Sequence, residues 1–250
     1  MYIPEADGMK VEMIDHMGDD YSVVNAARVS FGKHVAADDY DEVSYGERQR
    51  SITQVPVVAE KDEKLIKYLA EHNHNIPFAH CSLQFYIKAP IFVARQLMKH
   101  QVGLAWNEIS RRYVDTNIEY WKTKHWRERA SDKKQGSKES FISHPYDDMA
   151  VDFVYVDAVK HAIDAYNFML TNGVCPEQAR AVLPQSLFTE WYWSGSLLAF
   201  SRVVNLRLDD HAQAETRYIA KEISNNASKL FPVCWKYLTK KEANHGANQS

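Results

Sequence analysis

Residues 81–88, Cys-Ser-Leu-Gln-Phe-Tyr-Ile-Lys, alternate in character: Leu83, Phe85 and Ile87 fall on one side, Ser82, Gln84 and Tyr86 on the other. A period of two does not suit a helix, whose faces recur every 3.6 residues, so the run reads as a half-buried strand lying on a core. Around it the periodicity changes. Upstream, Asp62 can cap a helix that carries Leu65, Ile66 and Leu69 on one face. Downstream, Pro90 stands where a helix's first residue would, and the pattern continues from Ile91 to Val102 before stopping near Gly103.

The C-terminal hundred residues read as helices. Asp148 to Thr171 is amphipathic and ends before Gly173, a C-cap. Pro176 opens a short helix that must end by Pro184. Phe188 to Asn205 reads as a further helix, and Asp210 with Gln213 three residues on forms a capping box for another that reaches about Leu230. Lys122 to His144 is almost all polar, an exposed excursion over about 122–145, and the tail after Thr239 is polar too. No linker or repeat divides the chain. The expectation is α+β: one domain over 1–250, with a small mixed sheet and a helical C-terminal half.

Composition removes several classes of function. With 30 Lys+Arg against 33 Asp+Glu the net charge is −3, which provides no global basic field for nucleic acid. Cys81, Cys175 and Cys234 are scattered, and their odd number fits a reducing, cytoplasmic compartment better than a disulfide scaffold. Met1 to Gly18 reads as neither a signal nor a transit peptide, and no stretch has the roughly 20 apolar residues of a membrane helix. His72, His74 and His80 lack a joining cysteine or paired acid, so no metal is expected.

The nine glycines form neither G-x-G-x-x-G nor a P-loop. Any bound nucleotide must then be held by side chains, chiefly arginine and lysine. Such groups crowd one place: Arg95-Gln96-Leu97-Met98-Lys99-His100-Gln101, then Asn107-Glu108-Ile109-Ser110-Arg111-Arg112-Tyr113. On a helix Arg95 and Lys99 would share a face, and in an extended segment Glu108, Ser110 and Arg112 would point the same way. An acceptor, a hydroxyl and a guanidinium suit a phosphorylated nucleoside. A solvated charged surface is the competing reading.

These residues resemble the signature of flavin-dependent thymidylate synthases, Arg-His-Arg, a short spacer, then Asn-Glu-x-Ser-x-Arg-Tyr. The likeness extends to His74-Asn75-Ile76-Pro77-Phe78-Ala79-His80, to Glu177-Gln178-Ala179-Arg180-Ala181-Val182-Leu183-Pro184, and to Leu206-Arg207-Leu208-Asp209-Asp210-His211-Ala212-Gln213. The four matches keep the family's order. The resemblance implies methylation of dUMP with 5,10-methylenetetrahydrofolate as carbon donor and FAD, reduced by NADPH, as hydride carrier. It also implies a homotetramer with shared sites. It assigns dUMP to Gln96, Leu97, Met98, Lys99, Glu108, Ile109, Ser110, Arg111, Arg112, Arg180 and Arg207. It assigns FAD to His74, Ile76, Lys99, His100, Gln101, Glu108, Ser196 and Leu198; Arg202, four residues after Leu198 and so on the same face of the expected helix, is expected to supply the cation that Leu198 lacks.

Several positions depart from the family's pattern: Lys99-His100-Gln101 replaces Arg-His-Arg, Ile76 and Ala79 replace Thr and Glu, and Ser196 and Leu198 replace Asn and Arg. All fall on expected flavin contacts. Arg207 is the expected catalytic residue, because a cation beside N3 and O2 of uracil makes C5 nucleophilic; an ion pair with Asp209 or Asp210 is the plainer alternative. Ser110 reads as a substrate contact rather than a nucleophile, and Cys175 as a small buried residue at a helix start. Trp191, Tyr192 and Trp193 read as core or interface before flavin-stacking. A non-catalytic nucleotide-binding protein that kept the dUMP pocket is the alternative function.

Overall fold

The computed structural model describes residues 7–33, 58–130, 137–142 and 145–239; the polar tail beyond them lies outside the described residues. Four strands form the main sheet: β1 (Lys10–Met17), β2 (Ser82–Pro90), β3 (Leu104–Glu108) and β6 (Phe188–Ser196), in the order β1-β2-β6-β3. Every pairing is antiparallel, so the sheet is not mixed.

The alternation in β2 is realised as read: Leu83, Phe85 and Ile87 are buried and their neighbours are half-buried. The segment Phe188–Ser196, expected to be helical, is an inner strand instead. Its register explains why, since Phe85 faces Trp193, Ile87 faces Trp191, and Trp106 faces Trp193 across the other edge. Large aromatics at period two fit a pleated surface and pack cross-strand, which overrides a helical reading. Gly195 permits the closest approach, because a Cβ there would lie 2.5 Å from the Gly103 carbonyl oxygen.

Helices make up most of the rest of the described chain. They are α1 (Asp20–Val29), α2 (Glu60–Glu71), α3 (Ile76–Ala79) and α4 (Ile91–Leu97), then α5 (Pro145–Thr171), α6 (Pro176–Ala179), α7 (Leu197–Arg207), α8 (Ala214–Leu230) and α9 (Pro232–Leu238). Val23, Ile66, Phe200, Ile219 and Phe231 join the strand residues in one core cluster. The caps differ from expectation at two starts. Asp62 lies inside the first turn of α2, buried and paired with Arg28, so Ala59 is the N-cap. Asp210 precedes α8 by too far; its N-cap is Gln213, and Arg217 instead donates to the carbonyls of Asp210 and Ala212 at 2.8 and 2.9 Å.

Ser196 does cap α7, accepting from the Ala199 N–H at 3.1 Å. The α5 stop is as expected: the N–H groups of Gly173 and Val174 reach back to Leu170 and Met169, with Gly173 at φ +84°. α4 is shorter than read and ends at Leu97, with Gly103 at φ +75° turning the chain into β3. The polar excursion is not structureless either. It holds a two-stranded hairpin, β4 (Arg127–Arg129) and β5 (Ser137–Phe141), tied to α8 by a bidentate Arg127–Glu215 ion pair at 2.8 and 3.0 Å.

Candidate functional site

Arg207 closes the last turn of α7, and there the helix delivers it to the end of α4. Its Nε–H donates to His100 Nε2 at 2.9 Å, and a terminal N–H donates to the Gln96 carbonyl at 2.8 Å. Three residues assigned from sequence thus meet in space although 107 and 111 positions separate them. The ion-pair alternative is not formed: Asp209 Oδ1 accepts from the backbone and ring of His211. Burial lowers the Arg207 pKa. Desolvation lowers that of His100, and the neighbouring guanidinium adds to the effect.

The Gln96 side chain is fixed as well. Its Nε2 donates to Gln213 Oε1 at 2.6 Å, and its Oε1 accepts from Thr216 at 3.2 Å. Neither Gln213 nor Thr216 was expected at the site. Their pairing with Gln96 spans 117 and 120 residues, a relation that no local pattern announces.

A second cluster surrounds Glu108 at the end of β3. Thr189 donates to Oε1 at 2.6 Å, and the Trp106 indole donates to Oε2 at 3.0 Å. Trp106 is itself held flat against Trp191, with ring centroids 4.3 Å apart. Trp106 and Thr189 also escaped the sequence reading, although Trp106 lies two residues from Glu108 on the same strand face.

Beyond Glu108 the chain is not extended, so the expected common face of Glu108, Ser110 and Arg112 does not exist. The Ile109 N–H bonds the Glu190 carbonyl at 2.9 Å, and the chain then turns, with the Ser110 carbonyl accepting from Tyr113 and Val114. Arg111 donates to the carbonyl of Thr116 at 2.8 Å, whereas Arg112 stays exposed over the Tyr113 ring. The Ser110 hydroxyl accepts from the Arg112 N–H at 3.3 Å, and no base is paired with it among the described residues.

The remaining assigned residues divide by exposure. Leu97 is buried, while Met98, Lys99 and Gln101 are exposed. Because α4 ends at Leu97, Arg95 and Lys99 are not turn-mates on a helix. Arg180 is exposed after α6 and bonds only its own turn, at the Glu177 carbonyl. His74 and Ile76 are exposed beside α3, and His74 meets the Tyr68 ring edge-on. Leu198 is buried at 9% and packs in the core; Arg202, one turn on, is exposed. Cys175, expected to be buried, is exposed. Trp191 and Trp193 are core residues.

A cavity of about 600 Å³ lies elsewhere, between residues 122–126 and α5, lined by Lys122, Trp126, Phe153 and Lys160 among others. None of the assigned residues lines it. Apart from the buried Leu97 and Leu198, the assigned residues are half-buried or exposed, most of them near the ends of α4, β3 and α7, with His74 and Ile76 at α3 and Arg180 after α6.

Over residues 12–233 the chain matches the family model of thymidylate synthase complementing proteins. It is 36% identical over 215 residues to the flavin-dependent thymidylate synthase of Thermosipho africanus, covering 86% of this chain and 84% of that one. The Thermus thermophilus enzyme of the same name is 35% identical over 233 residues, covering 93% and 76%. Among solved structures, the UMP/dUMP methylase PolB from Streptomyces cacaoi, bound with 5-Br dUMP, superposes with a TM-score of 0.74 at 26% identity, covering 92% of this chain and 94% of that one. The chain belongs to the flavin-dependent thymidylate synthase family.

Proposed function

We propose that this chain methylates dUMP at C5 to give dTMP, taking the carbon from 5,10-methylenetetrahydrofolate and reducing power from NADPH through FAD. The observation that carries the reading is the anchored Arg207. A guanidinium has five N–H donors, and two are spent on His100 and the Gln96 carbonyl, which leaves a fork free to face a substrate. Set beside N3 and O2 of the uracil ring, it favours the N3-deprotonated form and drives electron density to C5. Fixing that cation in advance avoids reorganisation during the reaction.

The other roles follow exposure and charge. Arg112, Lys99 and Arg180 are exposed cations suited to the phosphate dianion, and Ser110 is a hydroxyl contact beside them. Arg111 is half spent on the Val114 and Thr116 carbonyls, so it shapes the turn that presents Arg112. Gln96 with Leu97 and Met98 forms the wall behind the base, and Ile109 fixes the end of β3. Glu108 offers an oriented acceptor.

The residues present fit a flavin in part. Lys99 and Arg202 form no ion pair among the described residues, and His74, Ile76 and Gln101 are exposed. These groups and the free ring N–H of His100 would hold FAD, which supplies the reducing equivalents when bound. Leu198 packs in the core, and Ser196, whose oxygen accepts from the Ala199 N–H as a cap, keeps its O–H to donate to the cofactor.

Sites on open surface call for other subunits to close them, and the proposal includes the homotetramer. Met149, Phe153 and Phe168 are 71%, 71% and 70% exposed along α5, which is apolar area of the kind that interfaces cover. The core shared by β1, β2, β6 and helices α1 to α4 and α7 to α9 supports reading the chain as one domain, and three free cysteines fit a cytoplasmic setting. The test is product analysis of dUMP incubated with folate donor and NADPH, with and without FAD. Thymidylate formed only with FAD supports the reading; dUMP binding without product would make the chain a non-catalytic nucleotide binder.

A further inference from the structure

Arginine has no lone pair to give, so in the bond between Arg207 Nε and His100 Nε2 the imidazole must be the acceptor. Nε2 is then unprotonated, and the ring's single proton sits on Nδ1. A second proton would have to go to Nε2. It would abolish the acceptor and leave two cations 2.9 Å apart.

We propose that His100 is a positioning residue for Arg207, and that it works only as the neutral Nδ1–H tautomer, so that one proton on His100 removes one of the two tethers that orient the activating guanidinium. The proposal rests on the reading of Arg207 given above. It goes further in assigning His100 a role toward the substrate-activating cation, in addition to any contact its Nδ1–H makes with a cofactor.

The surroundings are arranged for this. Among the described residues, Arg207 is the charged group whose field bears on the ring. Lys99 on the same segment is exposed, and from α8 only the neutral Gln213 and Thr216 approach the neighbouring Gln96. Past α7, Asp209 is engaged with His211. No carboxylate therefore holds the imidazole in its charged form, and partial burial favours the neutral one. The second anchor of Arg207 is a backbone carbonyl, which does not titrate. Acid therefore releases one of two tethers.

Two readouts test the idea, one of them independent of turnover. In protein labelled with ¹⁵N-histidine, the His100 resonances, assigned by their loss in His100→Gln, should report an unprotonated Nε2 and a protonated Nδ1 at neutral pH. In Arg207→Ala that tautomer preference should relax. An Nε2–H form in the wild type overturns the proposal. The second readout is kcat/KM for dUMP against pH. Glutamine places a carbonyl oxygen near the position of Nε2 and accepts at any pH, so the wild type should lose about tenfold per pH unit on the acid side of the His100 transition while His100→Gln keeps a flat limb there. His100→Ala should lower the plateau by about tenfold or more. An acid limb unchanged in His100→Gln, or a wild-type plateau in His100→Ala, overturns it. Should the wild type form no thymidylate at all, the functional reading fails, and the tautomer measurement still decides the His100–Arg207 bond.

Discussion

Thr189→Val changes one atom of weight and isolates the clamp on Glu108. Thr189 is 4% exposed, and its hydroxyl donates to Glu108 Oε1 at 2.6 Å, a short bond to a carboxylate. Removing a donor from a bond to a charged group costs about 1.5–3 kcal/mol. The methyl that replaces the hydroxyl returns at most about 0.8 kcal/mol of apolar burial. The net is a loss of roughly 0.7–2.2 kcal/mol, or about 1–9 °C in Tm for a chain of this length. The sign carries the argument. A buried threonine hydroxyl without a partner would make the valine variant more stable than the wild type. Thermal and urea unfolding of Thr189→Val, alone and in a Glu108→Leu background, measure this. With Glu108 gone the substitution should become neutral or stabilising, because coupled neighbours are not additive. Calorimetric dUMP affinity should weaken in the single variant as the acceptor loses its orientation. A Thr189→Val protein as stable as the wild type in both backgrounds would refute the clamp.

Three further outcomes follow from the same geometry. Arg202→Ala should weaken FAD binding by about 1.5–3 kcal/mol with dUMP affinity little changed, as read by flavin titration; equal flavin affinity removes Arg202 from the site. Gly195→Ala should destabilise by about 3 kcal/mol in urea unfolding, because its Cβ would sit 2.5 Å from a backbone oxygen that cannot swing aside. The lowered pKa of His100 also predicts a pH dependence of folding. Between its folded value and the ordinary histidine value of about 6.5, the unfolded chain binds more protons than the native one, so stability rises with pH across that window and is lost as pH falls below about 6.5. Urea midpoints of wild type and His100→Gln should diverge in that window, and parallel midpoints would remove the contribution.

How much was legible in the sequence depended on whether the signal was local. The β2 alternation, the Gly173 stop and the Pro176 start depend on near neighbours or single residues, and they appear in the structure as read. The largest miss was β6. Phe188 to Asn205 carries enough apolar residues for a helix, yet Trp191 and Trp193 at period two were the strand signal, and Ser196 marked the boundary as an N-cap. The capping errors share one cause, since Asp62 and Asp210 are good caps by type but tertiary partners fixed the starts elsewhere: Arg28 holds Asp62, and Arg217 holds the loop through Asp210. At the proposed site, motif order picked out Gln96, His100 and Arg207, which the fold brings within hydrogen-bond reach of one another. Of their surroundings, Trp106 reaches Glu108 from two residues away on the same strand and was legible in principle, whereas the bonds from Thr189 to Glu108 and from Gln96 to Gln213 and Thr216 span strand pairing and helix packing that a linear reading does not show. Leu198 shows the limit of transferring roles by position: the residue that replaces a family cation has joined the core.

In the proposed reaction Arg207, anchored on His100 and Gln96, makes C5 of dUMP nucleophilic. Tritium release from dUMP labelled at C5 measures that event directly, since methylation at C5 must expel the hydrogen there. With 5,10-methylenetetrahydrofolate, FAD and NADPH present, the wild type should release tritium in step with thymidylate formed. Arg207→Ala should release it about 10²–10³-fold more slowly while still binding FAD. Release at near wild-type rate from Arg207→Ala would contradict the account.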